Sequence, residues 1–155
     1  MRRLALVLIV VFLPACRGSG AACGAPVQEQ LDSRSTQHLF PGAPEPRYAT
    51  DPPTSGPHRL GNHPTGVLDG PIDRPRQVAM LENGAVLLQW RGLSSSARRE
   101  LEGLAGGPVT VAPNASLKKP VVATAWTWKL SCSRVDSGAL RKFVAAHAGR
   151  GAGHP

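Results

Sequence analysis

The chain has 155 residues, which is enough for one domain of ordinary size. Charged residues make up only 18% of it, a share that argues against a charge-driven disordered chain and against a coiled coil. Glycine (17) and proline (15) together form about a fifth of the chain, which predicts long segments without helix or sheet. The net charge is +8, and most of the basic residues are arginine.

The N-terminus has the pattern of an export signal. Two arginines precede an unbroken apolar run over residues 4–13, which fits a signal peptide and is too short to span a bilayer. The run ends in Leu-Pro-Ala-Cys, which resembles a bacterial lipobox and implies a signal peptide of residues 1–15 with lipid on Cys16. An ordinary signal peptide, cleaved after Ala15 or Ala22, is the alternative and would release a secreted protein. We therefore expect an extracytoplasmic protein anchored to the bacterial cell membrane.

The net charge of the exported chain does not identify a specific partner. Without residues 1–15, 16 basic and 10 acidic residues remain. Export and the low aromatic content of 5% argue against a nucleic-acid partner. The expected partner is the membrane, through the N-terminal lipid, while a protein or ligand partner is not identified by the sequence.

Two cysteines remain once Cys16 carries lipid. Cys23 and Cys132 could pair in an oxidising compartment. Residues 16–36, however, are rich in small and polar residues and are predicted to form a flexible lipidated tether. A disulfide would require this tether to fold back, so the sequence favours a free, buried Cys132 and keeps the disulfide as the alternative.

Residues 37–150 are predicted to form a single α+β domain, followed by a flexible tail over residues 151–155. The segment 37–77 is proline-rich, and proline at this density argues against helix and central strand. From residue 78 the pattern changes. The apolar run 84–90 predicts a buried strand, and the apolar positions after Ser94 predict a helix that ends before the glycines at 106–107.

The rest of the chain predicts two further strands and a last helix. Residues 109–112 are β-branched, and the period-2 pattern over 121–130 predicts one long strand. Asp136 is expected to cap the last helix, with His147 on its core face. The order β-α-β-β-α predicts a small mixed sheet with the helices on one face. We expect the first two strands to be parallel and the third to pair antiparallel through the turn at 114–119.

The most distinctive segment is the loop Pro52-Pro53-Thr54-Ser55-Gly56-Pro57-His58. It is accompanied by Met80-Leu81-Glu82-Asn83-Gly84 and Thr124-Ala125-Trp126. Together these segments resemble the bacterial domain-of-unknown-function 3105 family, which pairs the same loop with a His-x-Leu-Glu-His-Gly segment and a Thr-Ala-Trp strand. The resemblance runs from about residue 38 to residue 150. It implies no assigned reaction, and it agrees with export because members are commonly exported or membrane-anchored.

The residue types of the family pattern are those that a transition-metal site needs. Here His38, His58 and Glu82 keep that pattern. The two histidines of the family's second segment are replaced by Ala79 and Asn83. Alanine offers no ligand, and an amide oxygen is a poor ligand for zinc or copper, so the sequence puts a full site in doubt.

Three hypotheses for function follow, and the sequence favours binding over catalysis. In the first, the chain is a non-enzymatic binding or interaction module whose loop is a structural clasp, with Glu82 accepting backbone N–H bonds and Gly56 taking a positive φ. In the second, His38, His58 and Glu82 bind zinc or copper, helped by His63. In the third, a hydrolase uses Ser55 as nucleophile and His58 as base, although no third orienting group is evident.

Overall fold

The computed structural model describes residues 20–153, so the predicted signal peptide and Cys16 lie outside the described residues. Within that range six strands and three helices follow one another, and the predicted α+β fold is confirmed. The elements are β1 (Val27–Gln28), β2 (Gly66–Val67), α1 (Arg74–Glu82), β3 (Val86–Trp90), α2 (Ser95–Glu102), β4 (Val109–Pro113), β5 (Val121–Ala125), β6 (Trp128–Cys132) and α3 (Ser137–His147).

The strands form one mixed sheet in the order β1-β6-β5-β3-β4-β2. The expected parallel pairing of the first two predicted strands is confirmed, because β3 and β4 are parallel with Val86 opposite Val109. The expected partner of the next strand is wrong, since β5 pairs antiparallel with β3 and not with β4. The free edge of β4 is taken by β2, which comes from the proline-rich segment and pairs parallel to it.

The long strand predicted over residues 121–130 is a hairpin of β5 and β6. The chain reverses at Trp126 and Thr127, and Thr127 has a φ of 60°, in the left-handed region. The turn carries no glycine or asparagine, so the sequence gives no hairpin signal at this point. Because the turn reverses the chain, Leu130 lies opposite Ala123, and both belong to the same core cluster.

The sheet is covered on both faces. Leu101 of α2 and Phe143 of α3 pack with Val86 and Val111 on one face, as expected for the two predicted helices. The helix α1 was not predicted. Its Met80 packs against the other face in a second cluster, together with Ile72, Leu81, Leu87 and Ala112. Asp73 caps α1 by accepting from the Arg76 amide, and Pro75 lies in the first turn, where a helix tolerates proline. A helix therefore begins inside a segment whose proline content predicts none.

The N-terminal end of the described range is bound to the sheet region. Cys23 and Cys132 form a disulfide, and Val27 pairs with Lys129 of β6. The expectation of a free Cys132 is therefore wrong, and residues 23–28 do not form the flexible tether that the sequence predicts. The β1–β6 pairing is made by backbone groups, which leave no side-chain pattern in the sequence.

Residues 149–152 are held against the end of α1, whereas the sequence predicts a flexible tail from residue 151. The Gly149 amide donates to the Gly84 carbonyl at 2.8 Å, and the Ala152 amide donates to the Glu82 carbonyl at 3.0 Å. Gly151 is buried between these contacts. Among residues 20–153, no helix has the length and apolar character needed to cross a membrane.

Candidate functional site

The loop of residues 52–58 is buried over its whole length. The Thr54 carbonyl accepts from the Thr127 amide at 3.0 Å, which fastens the loop to the β5–β6 turn. The Tyr48 hydroxyl donates to the Pro57 carbonyl at 2.7 Å. Gly56 has the expected positive φ, 129°, and a Cβ there would lie 3.0 Å from the Tyr48 ring. The loop is therefore fastened to the turn at the end of strands β5 and β6.

A carboxylate that the sequence did not single out holds the same loop. Glu29 accepts bonds of 2.7 Å from the Thr50 hydroxyl, the Thr54 hydroxyl and the Lys129 ammonium. Burial opposes ionisation of Glu29, but the bonds from Lys129, Thr50 and Thr54 outweigh it, and the pKa of Glu29 is lowered. Glu29 lies in the segment predicted as a tether, so no local signal pointed to it.

The Ser55–His58 pair required by a hydrolase is not formed here. The Ser55 hydroxyl accepts from the Asp32 amide at 3.0 Å. His58 Nδ1 lies 3.1 Å from the Gly56 carbonyl, and His58 Nε2 faces Glu82. Both ring nitrogens of His58 are therefore directed at other groups.

His58 is fixed in one orientation with no side-chain exposure. Its backbone is held between two neighbours, because the Leu39 amide donates to the His58 carbonyl at 2.7 Å and the His58 amide donates to the Gln37 carbonyl at 3.1 Å. Because a carbonyl only accepts, Nδ1 must carry the proton in its contact with Gly56. This arrangement leaves Nε2 as the free ring nitrogen, which is the arrangement usual in metal-binding histidines.

The contact between His58 and Glu82 is close without being a hydrogen bond. Glu82 Oε2 lies 2.7 Å from His58 Nε2. Within the described range Nε2 has no hydrogen-bond partner, Glu82 included, so the contact lacks the alignment that a hydrogen bond requires. Glu82 thus presents its carboxylate to a buried nitrogen, whereas the sequence had it accepting from the loop backbone.

The three residues predicted as metal ligands converge. One ligand atom from each of His38, His58 and Glu82 lies within 4.8 Å of the other two. The His38 ring stands edge-on to the His58 ring, with centroids 5.0 Å apart and an interplanar angle of 70°. His38 is exposed and Glu82 is partly exposed, so the group opens to solvent on one side.

His63 and His147 lie outside the group formed by His38, His58 and Glu82. His63 is not part of it, and burial, with Arg76 and His58 adding to the effect, lowers its pKa. His147 stacks on Trp128 with ring centroids 4.7 Å apart, and its pKa is lowered chiefly by burial. Stacking and burial give His147 a packing role, as expected from its position on α3.

The two positions that depart from the family pattern close the end of α1. Ala79 is 1% exposed, and the Asn83 side-chain amide donates to the Ala79 carbonyl at 2.8 Å. Asn83 is also the C-cap residue of the helix, immediately after Glu82. Asn83 therefore stabilises the helix end that carries the Glu82 carboxylate.

A family model described as "Protein of unknown function (DUF3105)" matches residues 44–155. The chain belongs to the DUF3105 family. The match covers the buried loop and α1, while His38 precedes it. No curated protein and no solved structure matches this DUF3105 protein. The family therefore assigns no reaction to the cluster of His38, His58 and Glu82.

Beside His38 lies a cavity of about 750 Å³. Its walls come from two short segments that run side by side, residues 38–42 and 59–60. Most of its lining is apolar, and the residues with polar side chains in the lining are His38 and Arg59. This DUF3105 domain thus carries its histidine–carboxylate cluster next to an apolar cavity, with His38 common to both.

Proposed function

We propose that this DUF3105 chain is a lipid-anchored extracytoplasmic binding module that holds zinc or copper through His38, His58 and Glu82. The observation that carries the metal site is the contact of His58 Nε2 with Glu82 Oε2 at 2.7 Å. It is supported by the absence of any hydrogen-bond partner for that buried nitrogen in the described chain.

The positions of the protons on His58 determine how Nε2 interacts with Glu82. His58 Nδ1 donates to Gly56, so a neutral imidazole keeps a lone pair on Nε2. An ionised Glu82 oxygen 2.7 Å away then faces that lone pair, and the two repel unless a cation is shared. A proton on Nε2 would need the oxygen nearly in line with the N–H bond, and among the described residues Nε2 has no partner in such a position.

A metal ion fits between the same groups after a small outward movement of the Glu82 carboxylate. Two atoms bound to one tetrahedral zinc ion at about 2.0–2.2 Å each lie roughly 3.4 Å apart, so the carboxylate, which is partly exposed, must move by less than about 1 Å from its present 2.7 Å contact. The buried His58 supplies a fixed nitrogen, and the more exposed His38 and Glu82 lie within 4.8 Å of it. Two imidazoles and a carboxylate suit zinc or copper, and a tetrahedral ion would keep one position open.

The test is a calorimetric titration of the purified chain with zinc and, separately, with Cu(II). We expect binding of about one ion per chain, and we expect His58→Ala to weaken it at least a hundredfold because the fixed ligand is lost. His63→Ala is the matched control, since His63 lies outside the cluster. Binding that is unchanged in His58→Ala, or reduced equally in both variants, would contradict the proposed site.

A second variant uses the family pattern that the sequence resembles. Asn83→His returns an imidazole beside Glu82, and we expect it to tighten zinc binding at least tenfold. Asn83→Gln is its control, because it changes the helix cap without adding an imidazole. A gain that is equal in both variants would arise from the cap and would argue against added ligation.

The proposed location depends on the lipobox at Cys16, and the disulfide between Cys23 and Cys132 supports export, because disulfides persist in oxidising compartments. The test is fractionation of cells that produce the natural chain and a Cys16→Ser variant. We expect the natural chain in the membrane fraction and the variant outside it. Retention of the variant in the membrane fraction would contradict lipid anchoring.

A further inference from the structure

The cavity beside His38 has the dimensions and lining of a small-molecule site. Its volume of about 750 Å³ falls in the range of ligand pockets, which are mostly apolar with a few polar groups. Phe40 and Leu60 form part of the wall, yet their exposed fractions are 82% and 69%. These two exposed side chains give the cavity an apolar surface that an apolar ligand can cover.

Hydrogen bonds fix the chain segments on both sides of the cavity. The Leu39 amide donates to the His58 carbonyl at 2.7 Å, which joins the two wall segments. The Ala43 amide donates to the Phe40 carbonyl at 3.1 Å and closes the turn that carries Phe40. The Arg59 guanidinium reaches the Ala43 carbonyl at 3.3 Å from the other wall. The site is therefore formed before any ligand enters.

Arg59 provides a positive charge with unused hydrogen-bonding capacity. Its nearest carboxylate, on Asp73, is 3.8 Å away and is shared with Arg76 at 3.6 Å. Arg59 Nε is buried, so the Nη groups are the donors that a ligand can reach, and the side chain as a whole is 38% exposed. A guanidinium in this state favours a carboxylate, whose two oxygens match its donors.

We propose that the cavity binds a small carboxylate that carries a hydrocarbon chain. The carboxylate lies between Arg59 and a metal ion held at His38, and the chain lies against Phe40 and Leu60. This inference rests on the proposed metal site for half of its anionic recognition, since three protein ligands leave a zinc position open to an outside oxygen. The apolar wall and Arg59 supply the rest.

The experiment is a calorimetric titration of octanoate into the zinc-loaded chain, with octanol and acetate as probes that lack the charge or the hydrocarbon chain. We expect octanoate to bind at least tenfold more tightly than either. Phe40→Ser and Arg59→Gln should each weaken octanoate at least fivefold and leave the zinc stoichiometry unchanged. Leu31→Ser is the matched control, since Leu31 is exposed (53%) and lies away from the cavity lining.

The outcomes separate this inference from the proposed function. If the chain binds zinc but octanoate binds no more tightly than octanol and acetate, the carboxylate site is overturned and the metal site stands. If no zinc binds, octanoate binding to the metal-free chain that is lost in Arg59→Gln and Phe40→Ser supports the carboxylate site, while the proposed function fails. If neither zinc nor octanoate binds, both are overturned.

Discussion

His58 Nε2 and Glu82 Oε2 lie 2.7 Å apart with no hydrogen bond between them, one on a buried loop and the other at the end of α1. The loop orients the imidazole through Gly56, and the helix end brings the carboxylate to it. His38 approaches the same point from the neighbouring segment. This contact between an imidazole nitrogen and a carboxylate is the basis of the proposed cation site.

The first prediction concerns Glu82→Gln in the metal-free chain. A glutamine amide can donate to the free nitrogen of His58, so we expect the free energy of unfolding without metal to rise by about 1 kcal/mol. The same change removes an anionic ligand, so the stabilisation produced by added zinc should largely disappear. Urea unfolding with and without zinc measures both effects. A variant that is less stable than the natural chain without metal would indicate an imidazolium–carboxylate ion pair.

The second prediction concerns Gly151, which lies against the end of α1. A Cβ at Gly151 would lie 1.8 Å from the Glu82 carbonyl oxygen, a clash with backbone that no side-chain movement relieves. We expect Gly151→Ala to cost about 1–3 kcal/mol of stability, because the tail or Glu82 must shift. We also expect weaker zinc binding for the same reason.

The control for this change is Gly70→Ala, whose added Cβ meets nothing within 4 Å. Thermal unfolding and zinc titration of both variants provide the comparison. If Gly151→Ala behaves like Gly70→Ala, the tail does not hold Glu82 in solution.

The third prediction is a pH dependence that arises from Glu29. Its pKa in the folded chain is lowered from the ordinary 4.5, so the ionised form stabilises the fold above that pH. This contribution is lost as the pH falls through the lowered value. We expect Glu29→Gln to cost about 1–3 kcal/mol at pH 7 and much less in strong acid, since its hydrogen bonds and Lys129 partner are lost. Urea unfolding over this pH range measures the difference, and a cost that does not shrink in acid would argue against an ionised Glu29.

The fourth prediction concerns the disulfide between Cys23 and Cys132, which closes a loop of 109 residues. Its removal by Cys23→Ser frees the unfolded chain and releases the segment that carries β1, so we expect a loss of about 2–4 kcal/mol. Urea unfolding under non-reducing conditions measures this, with Cys16→Ser as the control outside the described residues. Equal stability of the two variants would mean that the bond adds nothing to the fold.

The parts of the fold that depend on local pattern could be predicted from the sequence. The apolar run at β3 and the capped, amphipathic α3 follow from side-chain periodicity and capping residues. The helix α1 was not predicted in this way, because a proline-rich segment argues against a helix. Pro75 lies in the first turn, which is the one place where a helix tolerates proline. The β5–β6 turn at Thr127 also carries no turn residue in its sequence.

The candidate site also has one part that the sequence predicts and one part that it does not. The residue types of the family pattern predict a group of His38, His58 and Glu82, and these three residues do converge. Glu29 was missed, because its role depends on contacts with Thr54 and Lys129, which are distant in the chain. Long-range pairing of backbone and single polar groups leaves no periodic signal, so only the folded arrangement reveals it.

The most direct test of the metal site is a crystal structure of the zinc-soaked chain with anomalous diffraction at the zinc edge. We expect one anomalous peak about 2.0–2.2 Å from His58 Nε2 and from ligand atoms of Glu82 and His38. A zinc peak elsewhere, or none, with His58 and Glu82 still in contact, would contradict the account.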